Sequence, residues 1–308
     1  MFLIQPTEAA LLDDLLQAAS HPAVDLRRWR PVARADSVKR DADQRAVPGH
    51  EPAHETFKVL GSIFYVGANE LTSFLIATPA GHILIDSGSE EMAPMVASSV
   101  RKLGFKVEDI KILLNTQGHG DHAGGFAALK KMTGARLMVM EGDAELVSNG
   151  GKDDFAFGDK YTHPPAKVDR VLHDGDRVEL GGAVLTGHLI PGHTKGGAAW
   201  TMKVSVDGKT YAVAFVGSTT INPGVHLVGN AKYPGIAEDY ARAFGVLSSL
   251  PCDLFLASHG SFFSLQDKAA ILEKGAGPNP FIDPDGCRAF IAQTKETYLR
   301  KLQEEKQR

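Results

Sequence analysis

The pattern of hydrophobic and polar positions predicts short strands and helices that follow one another from about Phe57 onward. Runs of β-branched and aromatic residues bounded by Gly, Asn or Pro are typical of strands and hairpins. Strands are predicted at Phe57–Val66, Leu71–Ala77, His82–Asp86, Ile110–Leu114, Ala135–Met140, Arg177–Leu180, Ala183–Leu189, Ala198–Val206, Tyr211–Val216 and Leu254–Ala257. Helices are predicted at Met92–Leu103, Phe126–Thr133, around Ala144–Val147, Ile236–Leu250 and Arg288–Gln303. Strands and helices alternate twice without a linker, which favours one domain of two packed sheets flanked by helices.

Two segments do not share this pattern. Residues 1–55 are polar and punctuated by prolines, which predicts an N-terminal helix followed by an extended arm. Residues 149–170 have almost no periodicity and predict a long loop. A loop of this length inside a compact domain is usually functional or mobile. The domain itself is predicted to span residues 56–308.

Composition narrows the possible classes of protein. The chain has 308 residues, of which 43% are hydrophobic and 23% charged, as in ordinary globular proteins. Its net charge of −4 argues against a nucleic-acid partner bound through phosphate contacts. No apolar run approaches the roughly 18 residues of a membrane span, so no membrane partner is predicted. The first 20 residues lack the basic region of a signal peptide, so an exported form would need a leader missing from this chain.

One Gly-rich segment concentrates possible metal ligands. Asn115–Gly125, NTQGHGDHAGG, follows an apolar strand directly and precedes a helix. Imidazole and carboxylate groups, which zinc accepts as ligands, occur here at His119, Asp121 and His122. A helix N-terminus with an Asp cap and two incidental histidines is the alternative interpretation.

Two later segments each place one histidine just beyond a predicted strand. His193 lies in PGHTKGG and His259 in ASHG. Either histidine alone would more often be a surface or capping residue. Combined with the Gly-rich segment, they complete the ligands for two metal sites at one edge of a sandwich. The two cysteines, Cys252 and Cys287, form no C-x-x-C pattern, which excludes a zinc ribbon or a thioredoxin-like site.

The order of these segments resembles the metallo-β-lactamase superfamily, whose signature is H-x-H-x-D-H followed by two later single histidines. The resemblance covers roughly residues 55–305, most of the chain. Ile83–Gly88 also resembles the family's strand-ending L-I-D-x-G, in which Asp86 would support the metal loop. The resemblance implies an α/β fold of the α+β type, a four-layer αββα sandwich.

Further details resemble the third subclass of true metallo-β-lactamases. Ser218 stands where most superfamily hydrolases carry an Asp that bridges the two metals, and the loss of that Asp is characteristic of this subclass. The loop at 149–170 and PGHTKGGAAW also resemble its members. Many members carry a disulfide where Cys252 and Cys287 fall, which implies that they pair, although two buried free thiols remain the alternative. A disulfide would place the protein in the periplasm or outside the cell.

The resemblance implies hydrolysis of the β-lactam amide bond of penicillins, cephalosporins or carbapenems. One zinc ion would be bound by Gln117, His119 and His193, and the other by Asp121, His122 and His259. Water held by the metal would attack the carbonyl, with Asp121 steering it. The residues expected to contact the substrate are Ser218 and Thr220, near its carboxylate, and Phe155 and Phe157, as an apolar lid over the drug.

The chain departs from the signature at Gln117, which replaces the first histidine. An amide oxygen is a weaker zinc donor than an imidazole nitrogen. We therefore expect one or two zinc ions, with the site of Gln117, His119 and His193 filling second. Replacing Gln117 by His should raise the affinity for a second zinc ion.

Other interpretations stay open at the level of sequence. A lactonase or a thioester hydrolase of the glyoxalase type shares the fold, but Ser218 counts against it because those enzymes keep the bridging Asp. A nuclease of the same fold is disfavoured by the acidic charge balance. A metal-binding relative that lost activity through Gln117 is the non-catalytic alternative. The sequence indicates no oligomeric state.

Overall fold

The computed structural model describes residues 53–275 and 277–307. The helix and arm predicted for residues 1–55 therefore lie almost entirely outside the described residues. The strands are β1 Phe57–Leu60, β2 Ile63–Tyr65, β3 Phe74–Thr78, β4 Gly81–Ile85, β5 Ile110–Leu114, β6 Arg136–Met140, β7 Arg170–Leu172, β8 Arg177–Leu180, β9 Ala183–Leu189, β10 Ala198–Val206, β11 Lys209–Val216 and β12 Leu254–Ala257. The α-helices are α1 Ala93–Lys102, α2 Gly120–Ala123, α3 Phe126–Thr133, α4 Glu141–Ser148, α5 Ile236–Ser249, α6 Leu265–Lys274 and α7 Pro284–Lys306.

The strands form two mixed sheets. In the first sheet β1 to β7 lie in chain order, with β1 to β4 antiparallel and β4 to β7 parallel. Parallel neighbours need crossover connections, and helices α1 to α4 lie in those connections. The second sheet has the order β12-β11-β10-β9-β8; β8 to β11 form an antiparallel meander and β12 lies parallel to β11.

The central strands are buried on both faces, which explains their almost continuous hydrophobic sequence. Ile112 and Leu114 of β5 belong to the core between the sheets, together with Trp200 and Phe215 of the second sheet. Leu113, between them, is also fully buried and points to the opposite face, where α3 contacts β5 and β6. On the far side α7 contacts β12. The predicted four-layer αββα sandwich is confirmed.

Several element boundaries differ from the prediction. The run Phe57–Val66 divides into β1 and β2 because Gly61, at φ +56°, makes a turn. The run Leu71–Ala77 becomes a strand only from Phe74. Helix α6 was not predicted, and the last helix begins at Pro284 rather than Arg288. Residues 149–169 contain neither a helix nor a multi-residue strand, in agreement with the predicted loop.

The structure confirms the predicted disulfide between Cys252 and Cys287. The bond joins the segment before β12 to the first turn of α7. Among the described residues, no helix combines the length and the apolar character that crossing a bilayer requires.

Candidate metal centre

The loops that carry the predicted ligands meet at one edge of the two sheets. In the second sheet, Leu189 at the end of β9 pairs with Ala198 at the start of β10. Val216 at the end of β11 lies opposite both Ala199 and Ala257. The loops after β9, β11 and β12 therefore leave the sheet at the same level, and these loops contain His193, Ser218 and His259.

The first sheet joins this edge at the end of β5. The Ala198 amide donates a hydrogen bond to the Thr116 carbonyl at 2.7 Å. The Trp200 indole Nε1 donates to the Asn115 carbonyl at 2.8 Å. These bonds cross between the sheets immediately before Gln117, so they fix the Gly-rich loop relative to the second sheet.

Asp86 holds the start of the Gly-rich loop in place through hydrogen bonds. Its backbone has φ +59°, a left-handed conformation that is costly for a residue other than glycine. The buried carboxylate accepts hydrogen bonds from the Thr116 amide and hydroxyl, both at 2.7 Å. It also lies 3.2 Å from His122 Nδ1. The strained residue thus places one carboxylate where it ties the start of the loop to a predicted ligand.

The four predicted histidine ligands approach one another in two pairs. His119 Nδ1 lies 3.2 Å from His193 Nε2. His122 Nε2 lies 3.2 Å from His259 Nε2. Two nitrogen ligands 2.0–2.1 Å from a tetrahedral zinc ion would lie about 3.3 Å apart, so both pairs match that spacing.

The other nitrogen of each imidazole faces an oxygen atom. His193 Nδ1 donates to the Thr220 carbonyl at 2.7 Å, and His122 Nδ1 faces Asp86. His119 Nε2 lies 3.5 Å from an Asp154 carboxylate oxygen. His259 Nδ1 lies 3.3 Å from a Glu70 carboxylate oxygen. These outer oxygens help to orient each ring, so that its inner nitrogen points to a place where a metal ion could bind.

Asp121 completes a group of three ligands with His122 and His259. Its Oδ2 lies 3.3 Å from His122 Nε2 and 3.9 Å from His259 Nε2. Burial alone would raise the pKa of Asp121, but His122 and the other imidazoles hold it well below its usual value. Burial likewise would lower the pKa of His122, but the carboxylates of Asp121 and Asp86 raise it to about 10. The group therefore stabilises a positive charge, which suits a cation.

The pair of His119 and His193 has a different electrostatic character. Burial, followed by the neighbouring His119, lowers the pKa of His193 to about 3. His193 is therefore neutral at physiological pH, as a metal ligand must be. Gln117 is buried, and its Oε1 has no hydrogen-bond partner. A buried carbonyl oxygen without a partner is costly, and a cation would satisfy it. The residues present thus fit a metal ion in both places.

A cavity of 670 Å³ opens over the candidate ligands. Its lining includes His119, Asp121, His193 and His259. Two of the predicted substrate contacts, Thr220 and Phe157, also line it, and the Phe157 ring lies 5.2 Å from the His119 ring.

The other two predicted substrate contacts, Ser218 and Phe155, do not line this cavity. Ser218 is only 3% exposed, and its hydroxyl accepts a hydrogen bond from Gln117 Nε2 at 3.0 Å. Phe155 packs edge-on against Tyr233, with ring centroids 4.9 Å apart, and lines a different, smaller pocket. The loop turns between the two phenylalanines, so only the second faces the cavity.

Three carboxylates at the site were missed by sequence reasoning. Glu70 and Asp154 face the outer nitrogens of His259 and His119. Asp143 is 1% exposed and accepts hydrogen bonds from the Thr194 hydroxyl at 2.7 Å and the Gly196 amide at 2.8 Å. These residues occur in no motif, and their distance in sequence from the ligands gave no signal.

Comparison with known proteins agrees with this arrangement. Residues 67–259 match the sequence model of the metallo-beta-lactamase superfamily. The native FEZ-1 metallo-beta-lactamase from Legionella gormanii is 45% identical, with a TM-score of 0.82, over 83% of this chain and 98% of that one. The class B3 di-zinc metallo-beta-lactamase LRA-12 from an Alaskan soil metagenome is 35% identical, with a TM-score of 0.78, over 82% of this chain and 95% of that one.

A curated relative has a different activity. The hydroxyacylglutathione hydrolase of Hyphomonas neptunium is 29% identical over 132 residues, 43% of each chain. The match therefore spans less than half the length of that relative. It covers much less of this chain than the matches to the two solved structures do.

Proposed function

The chain belongs to the metallo-β-lactamase superfamily, and from this membership we propose that it is a zinc-dependent hydrolase of β-lactam antibiotics. Its substrates would be penicillins, cephalosporins or carbapenems, opened at the lactam amide bond. The arrangement of the four histidines carries the proposal, because each turns one nitrogen inward to a partner imidazole and the other outward to an oxygen. The 45% identity to a solved metallo-beta-lactamase over most of both chains supports the choice of substrate.

The proposed ligands form two sets. Asp121, His122 and His259 would bind one zinc ion, with one carboxylate and two imidazoles. Gln117, His119 and His193 would bind the other, with an amide oxygen as the weaker donor. We expect the first set to fill before the second as zinc is added.

The chain's own residues would orient and activate the reactants. Zinc, when bound, supplies Lewis acidity that polarises the amide carbonyl and lowers the pKa of water. Asp121 lines the cavity as a carboxylate held ionised, and its Oδ2 faces His122 and His259. Its Oδ1 would accept a hydrogen bond from the attacking water and direct it at the carbonyl.

Thr220 and Phe157 would bind the rest of the substrate. The Thr220 carbonyl accepts a hydrogen bond from His193 Nδ1, and Thr220 Oγ1 lies 3.2 Å from the same nitrogen. The hydroxyl would donate its own hydrogen to the substrate carboxylate. Phe157, at the cavity wall, would cover the apolar part of the drug. We assign no substrate contact to Ser218 or Phe155, because Ser218 is hydrogen-bonded to Gln117 and Phe155 packs on Tyr233, and neither lines the cavity.

Thioester hydrolysis is the second candidate, favoured by the match to hydroxyacylglutathione hydrolases. Ser218 argues against it, since enzymes of that type keep a bridging carboxylate at this position. The Ser218 hydroxyl instead contacts Gln117 and, at 3.2 Å, Ser258.

We propose the periplasm or the extracellular space as the location, because a disulfide persists in oxidising compartments. The catalytic domain would comprise residues 56–308. Residues 1–52 lie outside the described part of the chain.

Zinc titration combined with a substrate panel tests the proposal. The zinc-loaded protein should hydrolyse a chromogenic cephalosporin faster than an acyl-homoserine lactone or a hydroxyacyl-glutathione thioester. His259→Ala should lower kcat/KM for the cephalosporin by roughly 100-fold or more, since losing only an outer partner of a ligand costs 10- to 100-fold. His173→Ala is the matched control, because His173 is exposed and pairs with Glu141. Faster thioester turnover would favour the second candidate, and zinc uptake without any turnover would indicate a binding protein.

A further inference from the structure

We propose that Ser218 is a positioning residue that orients the Gln117 side-chain amide so that its oxygen is presented to a metal ion. The inference rests on the proposed metal site of Gln117, His119 and His193. It assigns Ser218 to the metal centre instead of the substrate, and it explains how an amide can serve where the family signature has an imidazole.

The two ends of the Gln117 amide have different surroundings. Nε2 donates a hydrogen bond to Ser218 Oγ at 3.0 Å, whereas Oε1 is buried and has no hydrogen-bond partner. Gln117 itself is only 1% exposed, so water does not compete for either end. One end is thus satisfied by the protein and the other is left for a ligand. An oxygen offers lone pairs to a cation, and an NH₂ group does not.

Ser218 is suited to hold this orientation. Its hydroxyl can accept from the amide and donate its own hydrogen to Ser258 Oγ, 3.2 Å away. Gln117 follows β5, whereas Ser218 and Ser258 follow β11 and β12. The contacts therefore join the two sheets through three buried side chains. Alanine at position 218 would leave the buried N–H of Gln117 unpaired, which favours rotation of the amide to another partner.

An imidazole at position 117 would not need this support, because it would bind the metal through a ring nitrogen and has no amide oxygen and NH₂ group whose positions must be distinguished. The effect of Ser218 should therefore depend on the residue at position 117. A double-mutant cycle measures that dependence directly.

The experiment measures zinc affinity by equilibrium titration against a chelator for four proteins: wild type, Ser218→Ala, Gln117→His and the double variant. Ser218→Ala should lower the affinity for the second zinc ion by roughly 10- to 100-fold, as for other residues that hold a metal ligand. The same change in the Gln117→His background should produce no comparable loss. Ser205→Ala is the matched control, since its hydroxyl pairs with Thr210 on an exposed part of β10.

Several outcomes would overturn the inference. The first is an unchanged affinity for the second zinc ion in Ser218→Ala. The second is an equal loss of that affinity when Ser218 is replaced in the wild-type and in the Gln117→His background. The third is a wild type that takes up no second zinc ion at millimolar zinc. A measurement on the metal-free wild type tests the hydrogen bond without depending on whether the variants fold. The Gln117 side-chain NH₂ protons should exchange slowly with water by NMR, and rapid exchange would contradict the hydrogen bond to Ser218.

The inference and the proposed function can fail separately. If no β-lactam is hydrolysed but the double-mutant cycle behaves as expected, Ser218 still positions Gln117 in a metal site. If β-lactams are hydrolysed and the cycle shows no coupling, the proposed function stands and the role of Ser218 is wrong.

Discussion

At the scale of single residues, the candidate centre is organised by oxygen atoms that surround the ligands. The outer nitrogens face three carboxylates and one carbonyl, contributed by Glu70, Asp86, Asp154 and Thr220. Asp154 faces His119 and Asp86 faces His122. Both carboxylates lie outside the loop that carries these two histidines. Each imidazole is therefore fixed by a separate part of the chain, which reduces the conformational freedom lost when a metal binds.

The two phenylalanines of the 149–169 loop allow a matched test of substrate contact. Phe157→Ala should lower kcat/KM for a cephalosporin by roughly tenfold, because a buried phenylalanine side chain contributes about 1.5–3 kcal/mol of apolar contact. Phe155→Ala should lower the melting temperature and leave kcat/KM near the wild-type value, since its ring packs on Tyr233 outside the cavity. Zinc content should stay unchanged in both variants. An equal loss of kcat/KM in both would contradict a specific role for Phe157.

The ligand residues could be predicted from the sequence, but their surroundings could not. His119, Asp121 and His122 lie close together in a Gly-rich segment after an apolar strand, a pattern visible without coordinates. Ser218 lies just beyond β11 as predicted, yet whether its hydroxyl faces substrate or Gln117 depends on the rotation of one side chain in a buried loop. Contacts of that kind depend on tertiary packing between residues 101 positions apart.

At the scale of elements, the start of α7 shows how a cap decides a boundary. Asp283 accepts a hydrogen bond from the Gly286 amide at 2.8 Å, and Pro284 occupies the first turn, where its missing N–H costs nothing. Lys268 of α6 donates to the same carboxylate at 2.7 Å. Asp283 thus begins one helix and ties it to the preceding one.

Asp283→Ala should lower the free energy of unfolding by about 1 kcal/mol at neutral pH, the typical cost of replacing a helix N-cap by alanine. Burial alone would raise the pKa of Asp283, but Lys268 and the Gly286 amide hold it below its usual value. The carboxylate therefore stabilises the fold above its unfolded pKa of about 3.9, and this contribution is lost as the pH falls through the lower folded pKa. Urea unfolding at several pH values measures the difference, which should shrink below about pH 4.

Asp285→Ala is the control for this prediction. Asp285 lies in the same helical turn but is 90% exposed, and it pairs only with the neighbouring Arg288. Its removal should change stability little, as for most surface ion pairs. If the two variants lose equal stability, the general charge of the helix terminus matters more than the cap.

Strands with an apolar run or a clear alternation were predicted well, whereas helix α6 was not predicted. Strands β5, β8, β9, β10 and β12 have the predicted bounds. Strands β5 and β12 are almost fully buried, whereas β8 and β9 alternate between buried and more exposed positions. In helix α6, LQDKAAILEK, Ile271 is 45% exposed, and the buried residues are Leu265 and Lys268, one of which is charged. Its sequence therefore carries little amphipathic signal, and its position depends on contacts such as that of Lys268 with Asp283.

At the scale of the whole molecule, the candidate centre depends on the packing of two sheets that are remote in sequence. Gln117, His119, Asp121 and His122 follow a strand of the first sheet, whereas His193 and His259 follow strands of the second. The hydrogen bonds that Asn115 and Thr116 accept from β10 cross this junction. Metal binding should therefore stabilise the junction between the sheets as well as the loops.

The disulfide is expected to stabilise the second sheet without forming the metal centre. Cys252 and Cys287 are 35 positions apart and enclose β12, His259 and α6. In the chain-entropy picture, closing such a loop stabilises a fold by about 4 kcal/mol.

Reduction by a phosphine that does not bind zinc should lower the melting temperature by roughly 10 °C, given the entropy of unfolding of a domain this large. Zinc content and turnover at low temperature should persist, because His259 is also held by Glu70 and by the bridge between its backbone and Leu71. A Cys252→Ala and Cys287→Ala double variant should not respond to the reductant. An unchanged melting temperature after complete reduction would contradict the stabilising role, and loss of zinc at low temperature would indicate that the bond helps to position His259.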